Sequence, residues 1–347
     1  MTSQELAHLA LLQPGDFKTV VTKAGGRVDF IFGDDRPFAH CHASTVAQTN
    51  DGTLVSAWFG GAHEKADNVG IWMSRYIDGN WTAPVEVAKV NNTPHWNPAL
   101  LNDPSRGLFL FFKVGSEIAF WQTYWMHSED NGATWSKPVE LVPGDKGGRG
   151  PVKDKPIILS DGAWLAGAST EYKGWHPFAD RSEDGGKTWT RSADFAIDRQ
   201  VVSGRGGIQP TLWEAPKGHV HALLRTAAGR IARTDSTDYG RTWCPVYLTD
   251  LPNNNSGIDV VRLDDGRLFL AYNPIGKNWG NRTPLTLAVS LDNGATWKNL
   301  ANLESGQGEY SYPAIIQTKT GIAVTYTWKR ERIRCWQIPL AALERAK

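Results

Sequence analysis

Six short polar clusters hold most of the side chains that could do chemistry in this sequence. They are His40 and His42 in "HCHAS", His95 and Asn97 in "PHWN", and Arg149, Lys153 and Lys155 in "RGPVKDK". The others are Gln209 in "GIQP", Asn253 to Ser256 with Asp259 in "NNNSGID", and Glu309, Tyr310 and Tyr312 in "EYSYP". Imidazole, phenol and carboxyl groups move protons or attack electrophilic carbon, while ammonium and guanidinium groups hold anions. The loop-borne indoles Trp96, Trp121, Trp125, Trp175, Trp279 and Trp328 have the flat apolar faces that suit stacking on sugar rings, although Trp in a β-protein is also core. His40 and His42 share one face of a strand, but no acidic cluster completes a metal sphere, so no metal or other cofactor is expected. The glycine-rich "GDKGGRGPVKDK" lacks the phosphate-loop spacing and precedes a strand rather than a helix.

What must position these clusters is a repeat. Each cluster opens or precedes a block of one kind: "STVAQTNDGTLVSAWF", "NPALLNDPSRGLFLFFK", "KPIILSDGAWLAGAS", "QPTLWEAPKGHVHALLR", "IDVVRLDDGRLFLAYN" and "YPAIIQTKTGIAVTYTW". Every block reads as a strand, a polar turn and a second alternating strand, the hairpin pattern. A second string follows most blocks: "SEDNGATW", "SEDGGKTW", "STDYGRTW" and "SLDNGATW", with its Trp at 135, 189, 243 and 297 and a degenerate copy ending at Trp81. The period is constant throughout. Six units of this size, rich in short strands and almost free of helical periodicity, predict an all-β chain, a six-bladed β-propeller of four-stranded antiparallel blades forming a single domain over residues 1–347. In such a ring the innermost strand of each blade delivers its first residues to the axial mouth, so the six clusters are expected to converge there. The last unit lacks a closing Trp string, and "FKTVVTKAGGRVDFIF" near the N-terminus is expected to supply strands that complete it and remove the free edge.

Composition narrows the partners. Thirty-seven basic residues against thirty-six acidic ones give a formal charge of +1 without charged blocks, which offers no footprint for nucleic acid or a membrane surface. Three distant cysteines, Cys41, Cys244 and Cys335, fit neither a disulfide framework nor a zinc site. "MTSQELAHLALLQPGDF" lacks the basic start and the apolar run of a signal peptide, so a cytoplasmic location is the default expectation. Oligomeric state is not readable.

The Ser-x-Asp-x-Gly-x-Thr-Trp string is most economically a turn fastener: Asp caps backbone N–H groups, Gly supplies positive φ, and Trp packs between sheets. It resembles the Asp-box of the sialidase (neuraminidase) superfamily of six-bladed propellers, and the resemblance spans nearly the whole chain. It implies a site at the axis rather than at the boxes, with arginines for a substrate carboxylate, a carboxylic acid for the leaving oxygen and a tyrosine nucleophile. Matched position by position, it implies Arg225 and Arg282 as carboxylate-binding, Tyr312 as the nucleophile, and Glu64, ahead of Asp67, in "GGAHEKADN" as the acid. Two positions depart from the pattern. His42 stands where the family has its first arginine, and Gln209 where it has the glutamate that activates the tyrosine. Glutamine cannot act as a base, which leaves His42, His95 or Glu309 as substitutes. Asn97, Lys155, Glu309 and Tyr310 are further candidates for substrate contacts. The expected partner is a carbohydrate bearing a carboxylate, hydrolysed as a terminal ulosonic or uronic acid. Elimination beside a uronate, or glycan binding without catalysis, stays open.

Overall fold

Hairpins dominate because almost every segment alternates apolar and polar residues between glycine turns, and the computed structural model arranges them as six sheets around an axis. Residues 10–344 are described; residues 1–9, the start of the stretch read for a signal peptide, lie outside them. Blade A runs outward through His40–Gln48, Leu54–Gly61, Gly70–Ile77 and Asn80–Trp81, with a fifth short strand, Val85–Ala88, beside the third. Blade B contains His95–Asp103, Gly107–Val114, Gln122–Ser128 and Val139–Glu140, and blade C contains Ile157–Ile158, Trp164–Thr170, His176–Ser182 and Thr190–Arg191. Blade D is Gly207–Glu214, Val220–Thr226, Arg230–Ser236 and Tyr247–Pro252, and blade E is Asp259–Arg262, Leu268–Tyr272, Leu285–Ser290 and Lys298–Glu304.

Blade F closes the ring. Its strands Tyr310–Thr318, Gly321–Trp328 and Arg332–Pro339 take Arg27–Phe30 as their outermost partner, with Val28 opposite Trp336. The N-terminal segment therefore completes the last blade, but only its final part is a strand. Residues Pro14–Lys23, expected to be extended, form a helix with Pro at its start, and its buried Phe17 and Val21 pack on blades E and F. Phe17 stacks on Trp336 at 5.5 Å. The apolar pair four residues apart suits one helix face, a period that a reading tuned to strands overlooks.

The four box strings build one structure four times. In "SEDNGATW" the Gly132 N–H donates to Ser128 Oγ at 2.8 Å and the Ser hydroxyl donates to Asp130 at 2.8 Å. Asp130 also accepts the N–H of Thr134 at 2.8 Å and its hydroxyl at 2.6 Å. These donors hold the Asp130 carboxyl down at about 2, Thr134 contributing most. The two residues after each Asp are left-handed: Asn131, Gly185, Tyr239 and Asn293 have φ of 58, 72, 60 and 56°, and the glycines that follow have φ of 77 to 89°. That conformation explains Asn and Gly at these positions, which share no chemistry otherwise. The glycine is needed twice over, since a Cβ on Gly186 would lie 2.5 Å from the Trp164 ring.

Candidate active site at the axial mouth

Four of the six innermost strands begin with the same backbone irregularity. Register shifts fall between His42 and Thr45, Trp96 and Ala99, Ile208 and Thr211, and Ser311 and Ala314. Within each, one residue is left-handed: Ala43 at φ 55°, Asn97 at 38°, Gln209 at 54° and Tyr312 at 53°. A bulge of this kind turns successive side chains away from the pleat, and non-glycine residues held there carry strain that concentrates at functional sites. Three of the four precede a proline, in "NP", "QP" and "YP".

At blades D and F the bulges bring Gln209 and Tyr312 together on Arg225, which ends the second strand of blade D. Arg225 donates to the Tyr312 phenol oxygen at 2.6 Å, to Gln209 Oε1 at 3.2 Å and to Asn255 Oδ1 at 2.8 Å. All three of Arg225, Gln209 and Tyr312 are buried, the last with 9% of its surface exposed. The Tyr312 ring lies 5.7 Å from the Arg225 guanidinium, 5.5 Å from that of Arg282 and 6.0 Å from the Lys153 ammonium. His42 packs on the same ring at 4.3 Å and shares a hydrogen bond of 2.9 Å with the Thr327 hydroxyl. Burial, followed by the positive charges of Arg330, Arg282, Arg225 and Lys153, holds the His42 imidazole well below its usual value, so it is neutral near pH 7.

Glu309 organises the open side. Arg282 donates to its Oε1 at 2.7 Å, Ser311 donates at 2.9 Å, and Arg330 Nε faces both carboxylate oxygens at 3.1 Å. Burial alone would raise the Glu309 carboxyl, but Arg282 and Arg330 carry it below its ordinary value. Arg330 also binds Glu64, 266 residues away. Sequence reasoning missed Arg330. It sits in the turn of "WKRERIRC" between two strands of blade F, where Lys329 and Arg330 are left-handed at φ 54 and 58°. The signal available was topological: a turn between second and third strands opens on the mouth face, so a basic residue there reaches the axis.

Other candidates fall elsewhere. His95 is wholly buried and spent on its own loop: its Nε2 accepts the Val90 N–H at 2.8 Å, so Nδ1 donates to Thr93 O at 2.9 Å, and burial lowers its pKa to about 4. Asn97 donates to Val152 O at 3.0 Å. Tyr310 packs in the apolar core of blades E and F with its hydroxyl on Gln307 O. Lys155 is bound to both oxygens of Asp259 at 2.9 Å and to Val260 O. Asp259 in turn accepts from Thr211 at 2.6 Å and Ile315 N at 2.8 Å, so this pair ties blades C, D, E and F below the mouth. Lys153 crosses the axis from blade C to the carbonyls of Ile258 and Pro313 and pairs with Asp154 at 2.6 Å. Asp67 is exposed, and its backbone oxygen accepts from Lys89. Of the six indoles, Trp96 and Trp121 are core, Trp175 is buried against Arg225 at 5.6 Å, and Trp279 is 68% exposed on the mouth-side loop of blade E. Phe120 and Tyr172, 51% and 48% exposed, stand on mouth-side loops of blades B and C with ring centroids 5.6 Å apart. Among the described residues no three His, Cys, Asp or Glu side chains gather to hold a metal ion.

These features define a six-bladed, sialidase-like propeller with a cluster of basic side chains at its axis. Residues 52–324 match the model of the BNR repeat-like domain, and the chain belongs to that family. No curated protein matches it significantly. Among solved structures it is similar to the Hadza microbial sialidase Hz136, with 18% identity, a TM-score of 0.78, and coverage of 91% of this chain and 69% of that one. A Dyadobacter fermentans protein of unknown function shows 19% identity and a TM-score of 0.72 over 90% of this chain and 99% of its own. The Trypanosoma rangeli sialidase in complex with sialic acid shows 15% identity and a TM-score of 0.70 over 89% of this chain and 55% of that one. At such identities the likeness is one of fold.

Proposed function

We propose that this propeller removes a terminal sugar acid from a glycan, holding the sugar's carboxylate between Arg225, Arg282 and Arg330. The observation that carries this reading is Glu309. A protein carboxylate already lies across two of the three guanidinium groups, with Arg330 Nε 3.1 Å from both its oxygens and Arg282 at 2.7 Å. The site thus has the shape and charge for one carboxylate at that depth, and bidentate arginine contact is the strongest neutral-pH means of binding it. Four cations, Arg225, Arg282, Arg330 and Lys153, face three carboxylates, Glu64, Glu309 and Asp154. A bound acid would balance them. The Trypanosoma rangeli enzyme's complex with sialic acid supports a sugar acid as ligand.

In the hydrolytic reading the Tyr312 phenol gives its proton to the neutral imidazole of His42 and its oxygen bonds the anomeric carbon as the aglycone leaves; water then displaces the Tyr312 oxygen, and the Arg225 N–H that this oxygen already accepts stabilises the phenolate in both steps. Glu64, held at the clamp by Arg330 whereas Asp67 projects into solvent, is the carboxyl placed to give the leaving-group proton once the sugar's carboxylate has replaced it on Arg330 and left it free to protonate. One observation favours elimination instead. Gln209 supplies no carboxylate to the phenol, and a neutral imidazole, His42, packs on the Tyr312 ring at 4.3 Å, a base that could take a proton beside a carboxylate. Incubation with defined sialosides and with uronate oligosaccharides decides between them. Uptake of water from labelled solvent into the released sugar acid supports hydrolysis; an unsaturated product absorbing in the ultraviolet supports elimination; binding without either product refutes both enzymatic readings.

A further inference from the structure

A second cationic site lies beside the first. Between the mouth-side loops 171–174 of blade C and 199–205 of blade D there is a cavity of about 420 Å³ lined by Glu171, Lys173, Gly174, Arg199, Gly204 and Arg205. Three of these six carry positive charge and are exposed. The single carboxylate, Glu171, is already engaged by the Trp175 indole N–H at 2.9 Å. Arg199 spends one N–H on Trp175 O at 3.1 Å, Lys173 lies over the Tyr172 ring at 5.3 Å, and the Arg205 side chain makes no ion pair among the described residues. Glycine keeps the cavity open: a Cβ on Gly206, at φ 94°, would lie 2.1 Å from the Arg199 guanidinium. One residue separates this cavity from the axial cluster. The Trp175 ring rests on Arg225 at 5.6 Å while its backbone oxygen holds Arg199.

We propose that this cavity is a second anion subsite, binding a carboxylate or sulfate on the sugar next to the terminal one, so that the preferred substrate is an oligosaccharide with acidic groups on adjoining residues. This rests on the axial cluster taking a terminal sugar acid. The exposed rings of Tyr172 and Phe120 beside the cavity offer that second sugar a stacking surface. A neutral second sugar would leave Arg199, Arg205 and Lys173 with Glu171 as their single counter-charge in the cavity.

The test uses matched pairs differing by one anionic group: galacturonate against digalacturonate, a chondroitin disaccharide without and with its 6-sulfate, and sialic acid against its α2,8-linked dimer. Binding to the full chain is read by calorimetry. Two charge-assisted contacts should make the di-anionic member bind about tenfold or more tightly in at least one pair. The double variant Arg199→Ala, Arg205→Ala should abolish that preference while leaving mono-anion binding unchanged. Both positions are exposed, so the fold is not at risk. A preference for the sulfated but not the second carboxylated probe identifies sulfate as the group read. No preference in any pair, including failure of every probe to bind, overturns the proposal, as does a preference that survives the double variant. Arg225→Ala separates the two readings: it should weaken both members of a pair equally and preserve their ratio. If it leaves affinities unchanged while the double variant removes the preference, the axial clamp fails and the second subsite stands.

Discussion

The rim and the axis of this propeller are both made of polar residues in turns, yet they satisfy them in opposite ways. At a box, the Ser, Asp, Gly and Thr of the motif find their partners within four residues: Ser128, Asp130, Gly132 and Thr134 answer one another. At the axis the partners come from different blades: Arg225 and Tyr312 are 87 residues apart, Lys153 and Pro313 160, and Arg330 and Glu64 266. The fastener at the rim is thus a local unit. The axis gathers charge that only the whole ring can assemble, and leaves part of it facing solvent, since Arg330 and Glu309 keep 27% and 30% of their side chains exposed.

The largest effects should therefore come from single changes at the axis. Arg225→Ala removes the guanidinium from Tyr312, Gln209 and Asn255 at once and should lower kcat/KM on an acidic substrate by roughly 10³-fold, the loss typical of a preorganised charge in the transition state. Tyr312→Phe should cost about as much in kcat with little change in KM, because the phenol oxygen is lost while the ring still packs on His42. Steady-state kinetics of the two variants checks both. An Arg225→Ala enzyme with wild-type kcat/KM would break the distinction between axis and rim.

The contrast also explains what could be read in advance. The boxes, the period and the hairpins are local patterns, so blade number, hairpin pairing and closure of the ring by the N-terminal segment were accessible from the sequence, though not that Arg27–Phe30 alone would form the closing strand. Gln209, Arg225, Arg282 and Tyr312 were reachable because the resemblance to sialidases places each at a set distance from a repeated feature. Arg330 was not, since nothing about "KRER" distinguishes the one basic side chain that turns inward. Lys155 and His95 misled for the converse reason. A charged or titratable residue at a block start looks the same whether it faces the mouth or is consumed in a tie, and its partners, Asp259 for Lys155 and the 90–93 loop for His95, are set by tertiary structure. The helix Pro14–Lys23 was hidden by its β-branched residues, Thr19, Val20, Val21 and Thr22, whose propensity burial of Phe17 and Val21 overrides.

A smaller effect is expected where the axis is structural. Lys153→Met leaves the Asp154 carboxylate, whose pKa burial already raises, without its cation in a place where its Oδ2 has no hydrogen-bond partner. Stability in urea should fall by about 3 kcal/mol or more. Adding Asp154→Asn should recover part of that loss, because the uncompensated charge is then gone. If the double variant is no more stable than the single one, the pair does not act as a unit.

At the rim the expected effects are smallest, and they carry a definite sign with pH. Asp184→Asn weakens the bonds to Ser182 and Thr188 without touching the axis; it should cost about 1 kcal/mol of stability and leave catalysis unchanged. Although burial opposes it, the Thr188, Ser182 and Lys187 donors bring the Asp184 carboxyl to about 2, as Thr134 does for Asp130. Both folded values lie below the ordinary carboxylate range near 4 of an unfolded chain. The folded state therefore binds these protons less readily than the unfolded one. The boxes' contribution is fully present above about pH 4 and is lost as pH falls from there through about 2. Thermal midpoints measured from pH 7 to pH 2 should show an acid limb that becomes shallower in the double variant Asp130→Asn, Asp184→Asn. An unaltered limb would mean that the acid sensitivity belongs to other carboxylates, with Glu309 and its two arginines the next group to test.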